Sequence, residues 1–138
     1  MRDYKKLEIW QKALSLCMKI YDATDRFPDS EKFGLSSQMQ RAAVSIPSNI
    51  AEGSGRRSTR DFHYFLGIAK GSLNELQTQM YIATGRKYIR EEEARELNME
   101  IDELGAKLFR FMNTVYPEFS DRMREEGEEY GINDIVTK

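Results

Sequence analysis

Four stretches of this chain repeat apolar side chains at intervals of three and four residues, and each is closed by a break rich in glycine or proline. That period is the period of the α-helix, so the chain is constrained to bury four helical stripes against one another. In the first stretch Trp10, Ala13, Leu14, Cys17, Ile20, Tyr21 and Thr24 fall on one stripe of a helix over about residues 3–26. Phe27-Pro28-Asp29 ends it, because the residue before a proline is driven out of the helical region. The second helix spans about residues 31–52, with Leu35, Met39, Ala42, Ala43, Ile46 and Ile50 inward and Pro47 inside it. A proline there removes the bond to the carbonyl of Ala43 and is expected to bend the helix, at a local cost of about 3 kcal/mol.

Gly53-Ser54-Gly55 closes the second helix, and Ser58-Thr59-Arg60-Asp61 reads as a capping box that opens a third over about residues 59–84. After Gly85-Arg86-Lys87-Tyr88, Glu91, Glu92 and Glu93 place acid where the helix dipole favours it, at the start of a fourth helix over about residues 90–115. Leu97, Ile101, Leu104, Leu108, Phe111 and Val115 form its seam, and Pro117 is read as its end. Short connections between long helices favour antiparallel neighbours, so the expected fold is an all-α, antiparallel, up-and-down four-helix bundle over residues 1–116. Residues 117–138 carry seven Asp and Glu against three Lys and Arg and are expected to form an acidic C-terminal tail with at most one short helix.

A chain of 138 residues fits a single core. Cys17 is the only cysteine, which excludes an intramolecular disulfide and suits a buried thiol in a reducing, cytoplasmic setting. The longest apolar runs, such as Met80 to Ala83, fall far short of the roughly 20 residues that span a bilayer, so no membrane association is expected. The charged N-terminal residues do not read as a signal peptide.

Enzymatic chemistry finds little support. His63 is the only histidine, and Arg60, not an acid, precedes it by three, so the Glu-x-x-His pairs of di-iron bundles are missing. No phosphate-binding glycine loop, nucleophile elbow or paired-cysteine zinc motif occurs, and no catalytic residue, metal or cofactor is expected. His63 reads as a partly exposed residue on a polar face. A more specific signal is a polar stripe, Gln38, Arg41, Ser45, Asn49 and Glu52, opposite Ser72, Glu75 and Gln79 on the third helix. Gly67 and Gly71 lie beside it and are expected to let another helix approach closely. Arg41 has two readings there: a structural ion pair with Glu75 or Glu52, or a free cation that meets a phosphate.

Charge is distributed unevenly. Residues 1–90 carry 15 Lys and Arg against 9 Asp and Glu, and residues 91–138 carry 6 against 14. Arg56, Arg57 and Arg60 crowd the turn between the second and third helices, and Arg86, Lys87 and Arg90 the turn between the third and fourth. Those turns lie at opposite ends of a bundle. They would bind an extended polyanion along a helix, by way of Lys70, or across subunits, with a salt-dependent affinity.

The segment from Glu31 to Gly53, EKFGLSSQMQRAAVSIPSNIAEG, resembles the signature of the bacterial four-helix-bundle family that includes the intervening-sequence proteins of large-subunit ribosomal RNA. The resemblance begins at Leu7-Glu8-x-Trp10-x-Lys12-Ala13 and runs on through Ser58, Asp61-Phe62, Phe65-Leu66, Ala69 and Gly71-Ser72-Leu73-x-Glu75-Leu76. A distant branch is similar to the accessory variability determinant of diversity-generating retroelements. What the resemblance implies is a homopentamer of bundles that binds RNA or DNA, and on one branch a reverse transcriptase, through basic residues and without catalysis. Arg41, Arg56, Arg57, Arg60, Lys70, Arg86 and Lys87 are the candidate contacts. A protein-only scaffold that recruits a partner such as a reverse transcriptase through its rim, with the acidic tail or exposed aromatics such as Tyr64 and Tyr81 as contacts and no direct nucleic-acid binding, is the alternative.

Overall fold

The structure, a computed structural model, describes residues 3–130, and the described residues are helical and connecting, with no strand among them. Helix α1 spans Glu8–Thr24, α2 Leu35–Ser54, α3 Thr59–Gly85, α4 Glu91–Val115 and α5 Pro117–Tyr130. Single 3-10 turns at Tyr4–Lys6 and Asp29–Glu31 precede α1 and α2. The first two helices therefore start four or five residues later than their sequence patterns suggested. Asp3 caps a turn, not a helix, by accepting from the Lys5 amide, and the chain is extended at Leu7 before α1 begins.

Helices α1 to α4 close a ring in which each packs on the next and α4 returns to α1. Cross-helix pairs give the directions. Gln40 meets Thr24 near the α1–α2 turn, Ser45 meets Ser72 midway along α2 and α3 while Gly53 at the end of α2 abuts Phe62 and Phe65 at the start of α3, and Phe62 meets Phe111 while Gln77 meets Asp102 between α3 and α4, so neighbours run antiparallel. The core is a stack of fully buried side chains from all four helices, among them Ile20, Met39, Ile46, Phe62, Leu66, Leu76, Met80 and Leu104. Burying each such side chain contributes about 1.5–3 kcal/mol, which offsets the entropy of ordering the helices.

Two details of the α1 pattern change. Ile9, Leu16 and Ala23 are buried, whereas Leu14 and Tyr21 are 40% and 41% exposed. Because α1 touches both α2 and α4, its buried face is wider than one stripe and is turned toward α4. Pro47 is buried within α2, which runs on to Ser54. The close-approach glycines also differ from expectation. A methyl group on Gly71 would meet nothing within 4 Å, and one on Gly67 would reach only the Met112 Cε at 3.9 Å. The tight crossing lies instead at Gly53, where an added Cβ would stand 2.7 Å from the Phe65 Cβ and 3.0 Å from the Phe62 ring.

Pro117 does not merely close α4. It takes the first position of α5, where a missing amide costs nothing. The segment read as an acidic tail is thus helical as far as Tyr130, and residues 131–138 lie outside the described residues.

Candidate nucleic-acid interface

The seven candidate cations do not form one patch. Helix α3, with 27 residues, is about 40 Å long and holds the two basic turns apart. Lys70, midway along it, turns toward α4: its Nζ donates to Asn74 Oδ1 at 3.2 Å and lies 3.4 Å from where a Cβ on Gly105 would stand. Arg41 is exposed on α2 and forms no ion pair among the described residues, so the pairing with Glu75 or Glu52 does not form. Several members of the polar stripe bond to one another instead. Ser45 and Ser72 hydroxyls share a 2.8 Å bond, Asn49 donates to the Ser45 carbonyl and hydroxyl, and Gln79 donates to Glu75. Gln79 Oε1 has no partner, although the side chain is buried.

Four of the other cations are already neutralised, by a feature that sequence reasoning missed. Lys12 meets Glu103 at 3.0 Å, Lys19 meets Glu100 at 2.7 Å, Lys107 meets Glu8 at 2.9 Å, and Arg26 binds Glu93 through both of its terminal nitrogens. This ladder runs the length of the α1–α4 seam. The bond from Lys107 holds the Glu8 carboxyl below the usual carboxylate range, and that from Arg26 does the same for Glu93. Surface pairs of this kind contribute little to stability, but they cancel charge. The spacing of seven or so between Lys12, Lys19 and Arg26, against Glu93, Glu100 and Glu103 in reverse order, is the signal that would have revealed it.

At the α2–α3 turn the balance is different. Arg56 is held by Glu52 at 2.6 Å and its guanidinium lies over the Phe65 ring, 4.6 Å from the centroid. Arg57 and Arg60 are exposed and form no ion pair among the described residues. Ser58 caps α3 by accepting from the Asp61 amide at 3.1 Å, which fixes the turn that presents both arginines.

His63 is buried, not partly exposed as its polar neighbours suggested. Its ring packs on Phe119, centroids 4.5 Å apart, and edge-on to Tyr116 at 5.6 Å, so the histidine joins α3 to the start of α5, which also packs on α4. Burial lowers its pKa and keeps the ring neutral. Beside it lies an open groove of about 490 Å³. One wall is Arg60, Tyr64, Gly67 and Ile68 from α3, and the other is Met112, Tyr116, Phe119 and Arg122 from α4 and α5. Among the described residues no acidic side chain lines it. Among the described residues no group of three His, Cys, Asp or Glu is placed to hold a metal ion, and no helix is long and apolar enough to cross a membrane.

These features define a helical bundle with a seam of cancelled charge on one side and a basic, aromatic end on another. Residues 5–110 match the family model described as the 23S rRNA-intervening sequence protein. The chain belongs to that family. Its fold is similar to the crystal structure of a protein of unknown function from the S23 ribosomal protein family of Bacteroides thetaiotaomicron, with a TM-score of 0.71 and 25% identity over 76% of this chain and 95% of that one. No curated protein sequence matches. The family match stops before Met112, so four of the groove's lining residues, Met112, Tyr116, Phe119 and Arg122, lie outside it.

Proposed function

We propose that this protein is a non-enzymatic RNA-binding adaptor that works as a homo-oligomer, a pentamer in the reading the resemblance favours. The observation that carries it is the contrast in charge pairing: α1 gives its cations to α4, whereas Arg57 and Arg60 stand exposed and unpaired at one end of the bundle. Unpaired arginines at a helix start suit phosphate oxygens, and membership of a family named for an rRNA intervening sequence supports RNA as the polyanion. Repetition around a ring raises affinity without a strong single site. Exposed apolar side chains on the outer face of α1, Leu14, Met18 and Tyr21, support contact between copies.

Filter binding of the full chain to a structured RNA at low and at high salt tests the reading. Binding at low salt that weakens linearly with the logarithm of salt concentration is expected. Absence of binding at low salt removes it, and light scattering on the same sample reads the number of copies.

A further inference from the structure

The groove between α3 and α5 has three properties that general basicity does not require. It is aromatic, with Tyr64 exposed at its rim and the clustered rings of His63, Tyr116 and Phe119, in edge-on and tilted contact, along one side. It carries one exposed arginine on each wall, Arg60 and Arg122, neither in an ion pair among the described residues. Its floor is opened by Gly67, where no side chain fills the space beneath Met112.

A flat apolar ring joined to an anion is the ligand such a groove complements. A volume near 490 Å³ lies within the range of about 300–1,000 Å³ that holds small ligands. Aromatic side chains with flanking guanidinium groups are how unstacked bases and their phosphates are held, and a base inside a duplex has no free face to offer. We propose that the groove takes an unpaired base of single-stranded or looped RNA, with the base against Tyr64 and the flanking phosphates on Arg60 and Arg122. The inference rests on the RNA-binding reading above and gives it a structural preference. It also assigns α5 a role: the acid-rich extension completes the site by bringing Phe119 and Arg122 to α3, instead of covering the arginines of the α2–α3 turn.

The test titrates the full chain into a labelled single-stranded RNA and into a blunt duplex of the same sequence. Three variants are compared with the parent: Tyr64→Ala and Arg122→Gln, both at exposed positions, and Gly67→Leu, which fills the floor while improving helix propensity. Trp10 fluorescence, from the only tryptophan, checks that each is folded. Loss of a stacked base and its phosphate contact is expected to weaken single-strand binding about tenfold in each variant, with duplex affinity changed less than about twofold for Tyr64→Ala and Gly67→Leu. If the parent binds single-stranded RNA and all three variants bind it equally well, the groove is not the site and the inference falls while RNA binding stands. If the parent binds neither RNA at low salt, the broader reading falls first. If Tyr64→Ala or Gly67→Leu changes the number of copies in light scattering but not RNA affinity, the groove seats another copy of the chain and the inference is overturned. If a free mononucleotide occupies a Tyr64-dependent site that RNA does not compete for, the ligand is a nucleotide, and the inference is overturned as well.

Discussion

The two ends of α3 carry nearly the same local sequence chemistry, three basic residues around a glycine-containing turn, and the fold makes different things of them. At the α2–α3 end one arginine is consumed by Glu52 and Phe65, and two remain exposed, of which Arg60 lines an aromatic groove with no acid among its described residues. At the α3–α4 end Arg86 lies against Tyr88, 5.8 Å from ring centroid to guanidinium carbon, and Arg90 opens a cleft shared with Glu92, Glu93 and Glu96. Lys87 takes a left-handed backbone conformation, φ 62°, to end α3, with the Tyr88 amide reaching back to the Ala83 carbonyl at 2.9 Å. One turn presents charge, and the other is occupied with terminating a helix and balancing its neighbour's glutamates. Counting basic residues in a turn therefore says little until the element packed beside it is known.

The largest expected effect breaks the presenting end. Gly53→Ala would place a methyl group 2.7 Å from the Phe65 Cβ, and a β-carbon cannot swing away without its helix. Overpacking of this kind costs about 1–3 kcal/mol, read as a lower midpoint in urea unfolding with an unchanged slope. Gly85 at the opposite end has nothing within 4 Å of the same methyl, so Gly85→Ala is expected to leave the midpoint where it is or raise it.

Charge removal sharpens the comparison. Arg57→Gln with Arg60→Gln is expected to weaken binding to a structured RNA about tenfold at low salt and to flatten its salt dependence. Arg86→Gln with Lys87→Gly is expected to change it less than about threefold. Equal losses at the two ends would show that both present charge alike, and the distinction would fail. Lys87→Gly by itself relieves the left-handed strain and is expected to stabilise the fold by about 1 kcal/mol.

The same contrast explains what was legible in the sequence. Helix spacing gave α3 and α4 nearly to the residue, because Ser58 and the acidic triplet Glu91 to Glu93 mark their starts in local chemistry. It gave the seam Leu97, Ile101, Leu104 and Leu108, all buried. It misjudged α1, where two neighbouring helices widen the buried face and a single stripe drawn through Leu14 and Tyr21 misses Ile9, Leu16 and Ala23. It located Arg57 and Arg60 but not the groove, because His63 meets Tyr116 and Phe119 across more than fifty residues and no periodicity links them. At the start of α5 the one legible hint is that Tyr116, Phe119 and Met123 recur at three and four, an apolar edge on an otherwise acidic segment.

The smallest expected effect concerns how α5 stays seated. Burial holds the His63 pKa below the ordinary histidine value, so the folded protein binds fewer protons at this site than the unfolded chain does. The stability it contributes is fully present above about pH 6.5 and is lost as the pH falls through that value and on through the lower folded one. The charged groups that line the adjoining groove among the described residues, Arg60 from α3 and Arg122 from α5, are both cationic, so an imidazolium finds no carboxylate among them to rescue it. Acidification should therefore loosen α5 before it affects the α1–α4 ring. Hydrogen exchange of amides in residues 117–126, corrected for intrinsic rate, is expected to speed up below about pH 6 while amides facing Ile46 and Leu76 keep their protection. In His63→Phe, which keeps the aromatic contacts and cannot take a proton, that acceleration should vanish; if it persists, the acid-sensitive group lies elsewhere on α5 and the histidine is only a packing residue.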